Sequence, residues 1–241
     1  MSLPLPPASA ETWAGGDDTA PGGAVIWDRT TDPNAAWAQW DVFVNAYAAA
    51  NLADEGSSDP LTAGVSTLTQ TATPAAFIVG PGSTGNIYSP TAATAFRAQL
   101  RGFDQAVVEA GESRVLVLTT LTAGNLLDAG SAVLSYDDGG SPRTLDLLAS
   151  LAVSTAADPG GFGGTVEQRQ WVYDLGAAAG ELTWTVAASE SSVSFQQFAA
   201  DATAVDLATL PIPEPSTGGL LLLGGLLMGR RLRSSGRRGG V

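Results

Sequence analysis

The chain has 241 residues, of which 44% are hydrophobic and 15% are charged, and its net charge at pH 7 is −13. This composition supports a folded core and excludes a disordered chain. Histidine, cysteine and lysine are all absent, which excludes disulfides, Ser-His-Asp triads, thiolate or imidazole metal ligands and P-loop chemistry.

Residues 1–22 are predicted to be a flexible segment ahead of the folded domain. They contain neither a basic n-region nor an apolar run of signal-peptide length. Ala8-Ser9-Ala10 nevertheless has the small-x-small form of a signal-peptidase site, and the acidic Glu11 follows it. Two interpretations stay open: residues 1–10 end a longer export signal that begins upstream of Met1, or they belong to a flexible Pro/Ala-rich terminus.

Residues 23–208 are predicted to form one all-β domain. Short β-prone runs alternate with Gly, Pro, Asp and Asn turn residues, which is typical of antiparallel sheets. The predicted strands are Ala24–Arg29, Trp40–Tyr47, Val65–Gln70, Ala76–Val79, Ala95–Gly102, Arg114–Thr122, Ser131–Tyr136, Thr144–Leu151, Gln170–Leu175, Leu182–Ala188 and Ser192–Phe198. The Ala-rich stretch Trp37–Asn51 is also compatible with a helix. The fold class is an antiparallel two-sheet sandwich, jelly-roll-like in type.

Three patterns within the domain carry specific expectations. Every second residue is bulky over 171–175 and again over 182–186, which places one face of each strand on a core. Arg114–Leu118 contains consecutive apolar residues and is predicted to be a central strand buried on both faces. Asp137-Asp138-Gly139-Gly140 is typical of a tight hairpin turn.

The charges are unevenly distributed along the chain. All 24 acidic residues precede Gly229 together with six arginines, giving 6 − 24 = −18 for that part, whereas the last twelve residues carry five arginines and no acid. An acidic body repels phosphate backbones, so nucleic acid is excluded as a partner.

Residues 209–241 differ from the domain before them. Prolines at 211, 213 and 215 predict an extended linker. The uncharged stretch 217–229 follows, and as a helix it covers about 20 Å of a roughly 30 Å hydrocarbon core. A buried core helix is the alternative, but the proline break, the lack of a polar face and the arginines that follow favour a short membrane segment with a stop-transfer end.

This tail resembles the PEP-CTERM sorting signal of Gram-negative bacteria. The resemblance covers the last 30 or so residues and implies an exosortase as partner, a transient inner-membrane anchor, and delivery to the cell surface or beyond. The sorting motif is Pro213, Glu214, Pro215 and Ser216; the membrane segment contains Leu220, Leu221, Leu222, Leu223, Leu226 and Leu227; the cytoplasmic end contains Arg230, Arg231 and Arg233, with basic residues continuing to Arg238. The domain itself is similar to sandwich regions ahead of such tails at 85–89 and 191–195, which implies no activity.

Two kinds of ligand are candidates, calcium and carbohydrate. Asp17, Asp18, Asp137 or Asp138 supply hard oxygen ligands that suit calcium, although no EF-hand spacing occurs and such acids are commonly turn formers. Six tryptophans suggest platforms for sugar rings; they are Trp13, Trp27, Trp37, Trp40, Trp171 and Trp184. Of these, Trp171 and Trp184 alternate with apolar residues and are expected in the core.

The sequence thus predicts an exported surface or extracellular-matrix protein with a structural or adhesive role, no catalytic residues and no required cofactor. A carbohydrate-binding module, with or without calcium, is the alternative, and extracellular polysaccharide is its expected partner. A glycosidase that uses two carboxylates is a third reading.

Overall fold

The computed structural model describes residues 35–56, 66–80, 85–104, 107–157 and 164–210. Within these ranges the chain forms fourteen strands, pairs them all antiparallel, and contains no α-helix. The strands are β1 Ala36–Trp40, β2 Asn51–Leu52, β3 Glu55–Gly56, β4 Thr67–Gln70, β5 Phe77–Val79, β6 Asn86–Ser89, β7 Ala95–Leu100, β8 Ser113–Gly124, β9 Val133–Asp137, β10 Pro142–Thr144, β11 Leu147–Ala157, β12 Thr165–Asp174, β13 Leu182–Ala187 and β14 Val193–Val205. The predicted strand Ala24–Arg29 lies outside the described residues.

The large sheet contains eight strands. Six follow the order β11-β12-β8-β14-β1-β3, while β6 pairs with β14 and β5 pairs with β6. Strand β14 joins them, because β8 pairs with one of its edges and β1 and β6 share the other. The stretches 85–89 and 191–195, which resemble other sandwich regions in sequence, lie side by side where β6 pairs with β14, and Ile87 is opposite Phe195.

The small sheet contains the remaining six strands in the order β10-β9-β13-β7-β4-β2. Its first hairpin turns at Asp138–Ser141, whose two end residues exchange backbone hydrogen bonds. Gly139 and Gly140 have φ values of 61° and 95°, which a type I′ turn requires at both central positions. The predicted hairpin is confirmed, and the two antiparallel sheets confirm the all-β sandwich.

The predicted strand Trp40–Tyr47 and the helical alternative over Trp37–Asn51 are both wrong. Strand β1 ends at Trp40, and the next residues follow an irregular path. Side-chain oxygens accept the backbone N–H groups of this segment. Asp54 Oδ2 accepts hydrogen bonds from the amides of residues 41 and 42 at 3.0 and 2.8 Å. Asn51 Oδ1 accepts hydrogen bonds from the amides of residues 44 and 45, each at 2.9 Å. Because these acceptors satisfy the amides, the segment needs no strand partner.

The predicted single strand Thr144–Leu151 is also wrong, since it is two strands in different sheets. Strand β10 belongs to the small sheet and β11 to the large one. The chain crosses at residues 145 and 146, where the Leu145 amide donates to Leu134 at 2.9 Å in the small sheet and the Asp146 carbonyl accepts from Asp174 at 3.3 Å in the large one. Two adjacent residues therefore bond to opposite layers.

Aromatic side chains from both sheets form the centre of the core. Trp184 of the small sheet packs edge-on against Trp171, with ring centroids 5.3 Å apart, and stacks on Phe198 at 5.2 Å, both from the large sheet. Phe96 of the small sheet stacks on Phe195 of the large sheet at 4.1 Å. The expected core positions at 171, 173, 175, 182, 184 and 186 are all buried in this cluster.

The large sheet is buried on its second face as well. Val115 and Val117 alternate with the core residues Leu116 and Leu118, yet all four are 0% exposed, as is Val172 on β12. The prediction that Arg114–Leu118 forms a central strand buried on both faces is confirmed.

Trp184→Ala is predicted to lower the free energy of unfolding by about 3–5 kcal/mol, because it removes the ring that joins the two layers and leaves a cavity. Urea denaturation followed by circular dichroism measures the change. Val133→Ala on the neighbouring strand, where the side chain is 42% exposed, is the control and should change stability by less than about 0.5 kcal/mol. Equal effects of the two substitutions would contradict the central role of Trp184.

Candidate functional sites

The predicted sorting residues lie outside the described residues. This holds for the motif 213–216, the apolar segment 217–229 and the basic end 230–238, and also for Asp17, Asp18, Trp13 and Trp27. A search of the described ranges finds no helix long and apolar enough to cross a membrane.

The two described calcium candidates belong to the hairpin turn between β9 and β10. Asp137 Oδ1 accepts the Gly140 amide, and Asp138 Oδ2 lies 3.4 Å from Arg143 Nε in an exposed ion pair. Both carboxylates therefore stabilise the turn. Across the described residues, no group of three or more acidic side chains is placed to hold a metal ion.

The tryptophans that the structure describes are mostly inside the sandwich. Trp40, Trp171 and Trp184 are 0% exposed, and Trp37 is half-buried. The indoles of Trp40 and Trp171 donate to backbone carbonyls at 3.0 and 3.2 Å, which fixes them in the core. The three fully buried rings present no open face to a sugar ring, and Trp37 is partly covered.

Exposed aromatic side chains occur instead on the edge of the large sheet. Phe77 on β5 is 48% exposed and packs against Tyr88 of β6 with ring centroids 5.6 Å apart and an interplanar angle of 87°. Perpendicular rings do not form the coplanar surface on which a pyranose stacks. The pair stabilises the β5–β6 hairpin.

Glu181 precedes β13 and makes two side-chain contacts with residues at the end of β7. It accepts from Arg101 Nε at 2.6 Å and from Gln99 Nε2 at 2.8 Å. Burial on its own would raise the pKa of Glu181, but these hydrogen bonds and the charges of Arg101 and Arg97 outweigh it and lower the pKa. A glycosidase acid needs the opposite shift, so Glu181 is suited to an ion pair and not to proton donation.

A buried ion pair lies on the inward face of β12. Arg169 Nε and Nη2 donate to Glu167 Oε1 and Oε2 at 2.7 and 2.9 Å, and Arg169 Nη1 donates to Ser150 of β11 at 3.2 Å. The side chains of Glu167 and Arg169 are only 5% and 18% exposed. Mutual neutralisation in a bidentate geometry lets both charges occupy a core-facing position.

This pair was not among the predicted site residues, and the predicted strand began at Gln170. Residues 171, 173 and 175 are apolar or aromatic, whereas residues 167 and 169 are charged. The alternation therefore did not extend to these two positions, and the predicted strand did not include them. The available signal was the spacing, because residues two apart on a strand share a face and opposite charges at that spacing can pair.

Tyr173 is the described tyrosine with the largest change in acidity. Burial raises the pKa of its phenol to about 12, and the neighbouring Trp184 side chain offsets only part of that rise. Within the described part of the chain, neither the Tyr173 hydroxyl nor Trp184 Nε1 has a hydrogen-bond partner. The Trp184 side chain therefore lowers the pKa of Tyr173 only as a close neighbour, because the two groups do not form a hydrogen bond.

No protein-family model matches the chain, and no curated protein matches it either.

Tyr173→Phe is predicted to reduce the amount by which the free energy of unfolding falls at alkaline pH. The folded phenol stays neutral to about pH 12, whereas in the unfolded chain it ionises near pH 10. The stability that Tyr173 contributes is therefore present below pH 10 and lost as the pH rises toward 12. The variant should remove roughly 2 kcal/mol of that loss and change stability at pH 7 by less than about 1 kcal/mol. Urea denaturation from pH 7 to 12 tests this, with Tyr47→Phe, at an exposed position, as the control that should behave like wild type.

Arg169→Met is predicted to lower the free energy of unfolding by about 3 kcal/mol, because it leaves Glu167 buried without its counter-charge. The double variant Glu167→Gln/Arg169→Met removes both charges and should recover most of that loss. A double-mutant cycle measured by urea denaturation gives the coupling. Additive losses would mean that the two side chains do not stabilise each other.

Proposed function

We propose that this protein is exported, held in the inner membrane by its C-terminal tail, cleaved by an exosortase near Pro213–Ser216, and delivered to the cell surface or the extracellular matrix. Its role there is structural or adhesive and non-catalytic. The observation that supports this proposal is the order of the last 30 or so residues: a Pro-Glu-Pro-Ser motif, an uncharged Leu/Gly run and an arginine cluster.

Each part of the tail suits one step of this route. Prolines at 211, 213 and 215 keep the motif extended, as a protease substrate must be. The segment 217–229 is uncharged but shorter than a stable span, which suits a temporary anchor. The residues Arg230, Arg231 and Arg233 oppose translocation of the end of the chain.

The domain is placed ahead of this tail as a cargo. Strand β14 ends at Val205 and a 3₁₀ turn covers Leu207–Thr209, so the last described elements of the domain come just before the proline-rich stretch in the sequence. We assign the finer architecture accordingly: a jelly-roll-like sandwich over 23–208, an extended linker, and a short hydrophobic helix within 209–241.

A non-catalytic role agrees with what the described side chains do. Glu167, Glu181 and Asp138 are occupied by ion pairs with arginines, and Asp54 caps backbone amides. Three of the four described tryptophans are fully buried and supply no exposed platform of the kind that a carbohydrate-binding module needs. We therefore place the structural role ahead of the carbohydrate-binding one.

Intact mass spectrometry of the mature protein from its native host tests the route. We expect a C-terminus between Pro213 and Ser216 for wild type, and an uncleaved chain in the membrane fraction for Glu214→Ala, because the motif is the substrate. Glu190→Ala, an exposed position in the domain, is the matched control and should be processed normally.

Two results would contradict the proposal. A mature mass that still includes Leu220 to Arg238 would make the tail a permanent anchor or a core element. Equal processing of Glu214→Ala and Glu190→Ala would show that cleavage does not depend on the motif.

A further inference from the structure

Among the described strands, β11 forms one end of the large sheet. It is eleven residues long, Leu147–Ala157, and β12 is its one partner among the described strands. It contains no charged residue, no proline and no glycine. A strand edge of this kind presents unpaired backbone amides and carbonyls to any extended chain that approaches it.

The other described sheet ends are protected. At the far end of the large sheet β3 has two residues, and in the small sheet β2 has two and β10 has three. Strand β10 also begins with Pro142 and carries Arg143. Short length, proline and charge are the usual defences of an edge, and β11 has none of them.

The second half of β11 is the most open part of this edge. The register against β12 shifts at Leu147/Ala149 and at Ala152/Ser154, and is regular from Ser154 to Ala157. These last four residues are all exposed and have small side chains. The register shifts interrupt the first half of this edge, whereas Ser154–Ala157 combines a regular register with exposed, small side chains.

We propose that a second copy of this chain pairs with β11 within Ser154–Ala157, antiparallel and with Thr155 or Ala156 opposite its own counterpart, so that two large sheets become one continuous sheet across a two-fold axis. Antiparallel self-pairing uses the same edge on both copies and closes as a dimer. Of the described sheet edges, only β11 is long enough to supply the partner strand.

The lack of charge along this edge permits an identical edge as its partner. The chain carries a net charge of −13, so two copies repel each other over most of their surfaces. An uncharged edge against an identical uncharged edge brings no like charges into contact. Backbone hydrogen bonds supply the attraction, as in other cases of strand addition, and added salt should strengthen pairing by screening the remaining repulsion.

Disulfide cross-linking of the full-length chain tests the pairing, because the protein has no cysteine of its own. Single variants place a cysteine at the exposed positions of the edge: Ala152→Cys, Ser154→Cys, Thr155→Cys, Ala156→Cys and Ala157→Cys. Thr185→Cys is the control, since Thr185 is equally exposed but lies on β13, which has a partner on both sides.

Under mild oxidation we expect a covalent dimer of twice 24.4 kDa, with a yield that peaks at Thr155 or Ala156 and exceeds the control roughly tenfold or more, because paired edges hold the two thiols at high effective concentration. Adding Ser154→Lys to the best variant should abolish most of the dimer. Adding Thr183→Lys, which adds the same charge on β13, should not.

Three outcomes would overturn the proposal. They are no dimer at any edge position, equal yields along the edge and at Thr185, and equal loss of dimer from the two lysine substitutions. Since the test reads a position-dependent yield on β11, its result is independent of whether the C-terminal tail is cleaved.

Discussion

The packing of Trp184 between Trp171 and Phe198 is the interaction on which the sandwich depends. It joins strands from both sheets through ring contacts at 5.2 and 5.3 Å, and Trp40 extends the cluster by packing on Phe198. Because side chains alternate along a strand, a slip of one residue in any of these strands would turn its aromatic residue out of the core. The aromatic cluster therefore sets the register of both sheets as well as their contact.

Sequence alone could predict the elements whose apolar residues alternate, and it failed where polar groups replace that signal. Strands β12 and β13 were found from their bulky residues over 171–175 and 182–186. The loop after Trp40 was not, because its amides bond to Asn51 and Asp54, residues that are close in space only after folding. The sheet crossing at Leu145 was missed for a related reason: its apolar neighbours resemble a continuous strand, and only the two layers decide where it divides.

The proposed function and the described structure belong to different parts of the chain. The sorting chemistry was predicted from residue order in the tail, where proline, leucine and arginine each act through simple physical effects. The domain contributes a closed core, around which Glu167, Glu181 and Asp138 form ion pairs with arginines and Asp54 caps backbone amides.

The position of β14 has a consequence for the order of folding. Among the described strands it is the last in the chain, yet it lies between β8 and the pair β1 and β6, so Ala36 can pair with Ala202 only after β14 has been synthesised. Contacts this distant in sequence make folding slow. A nascent chain of this design therefore cannot complete its large sheet until nearly all of the domain has left the ribosome.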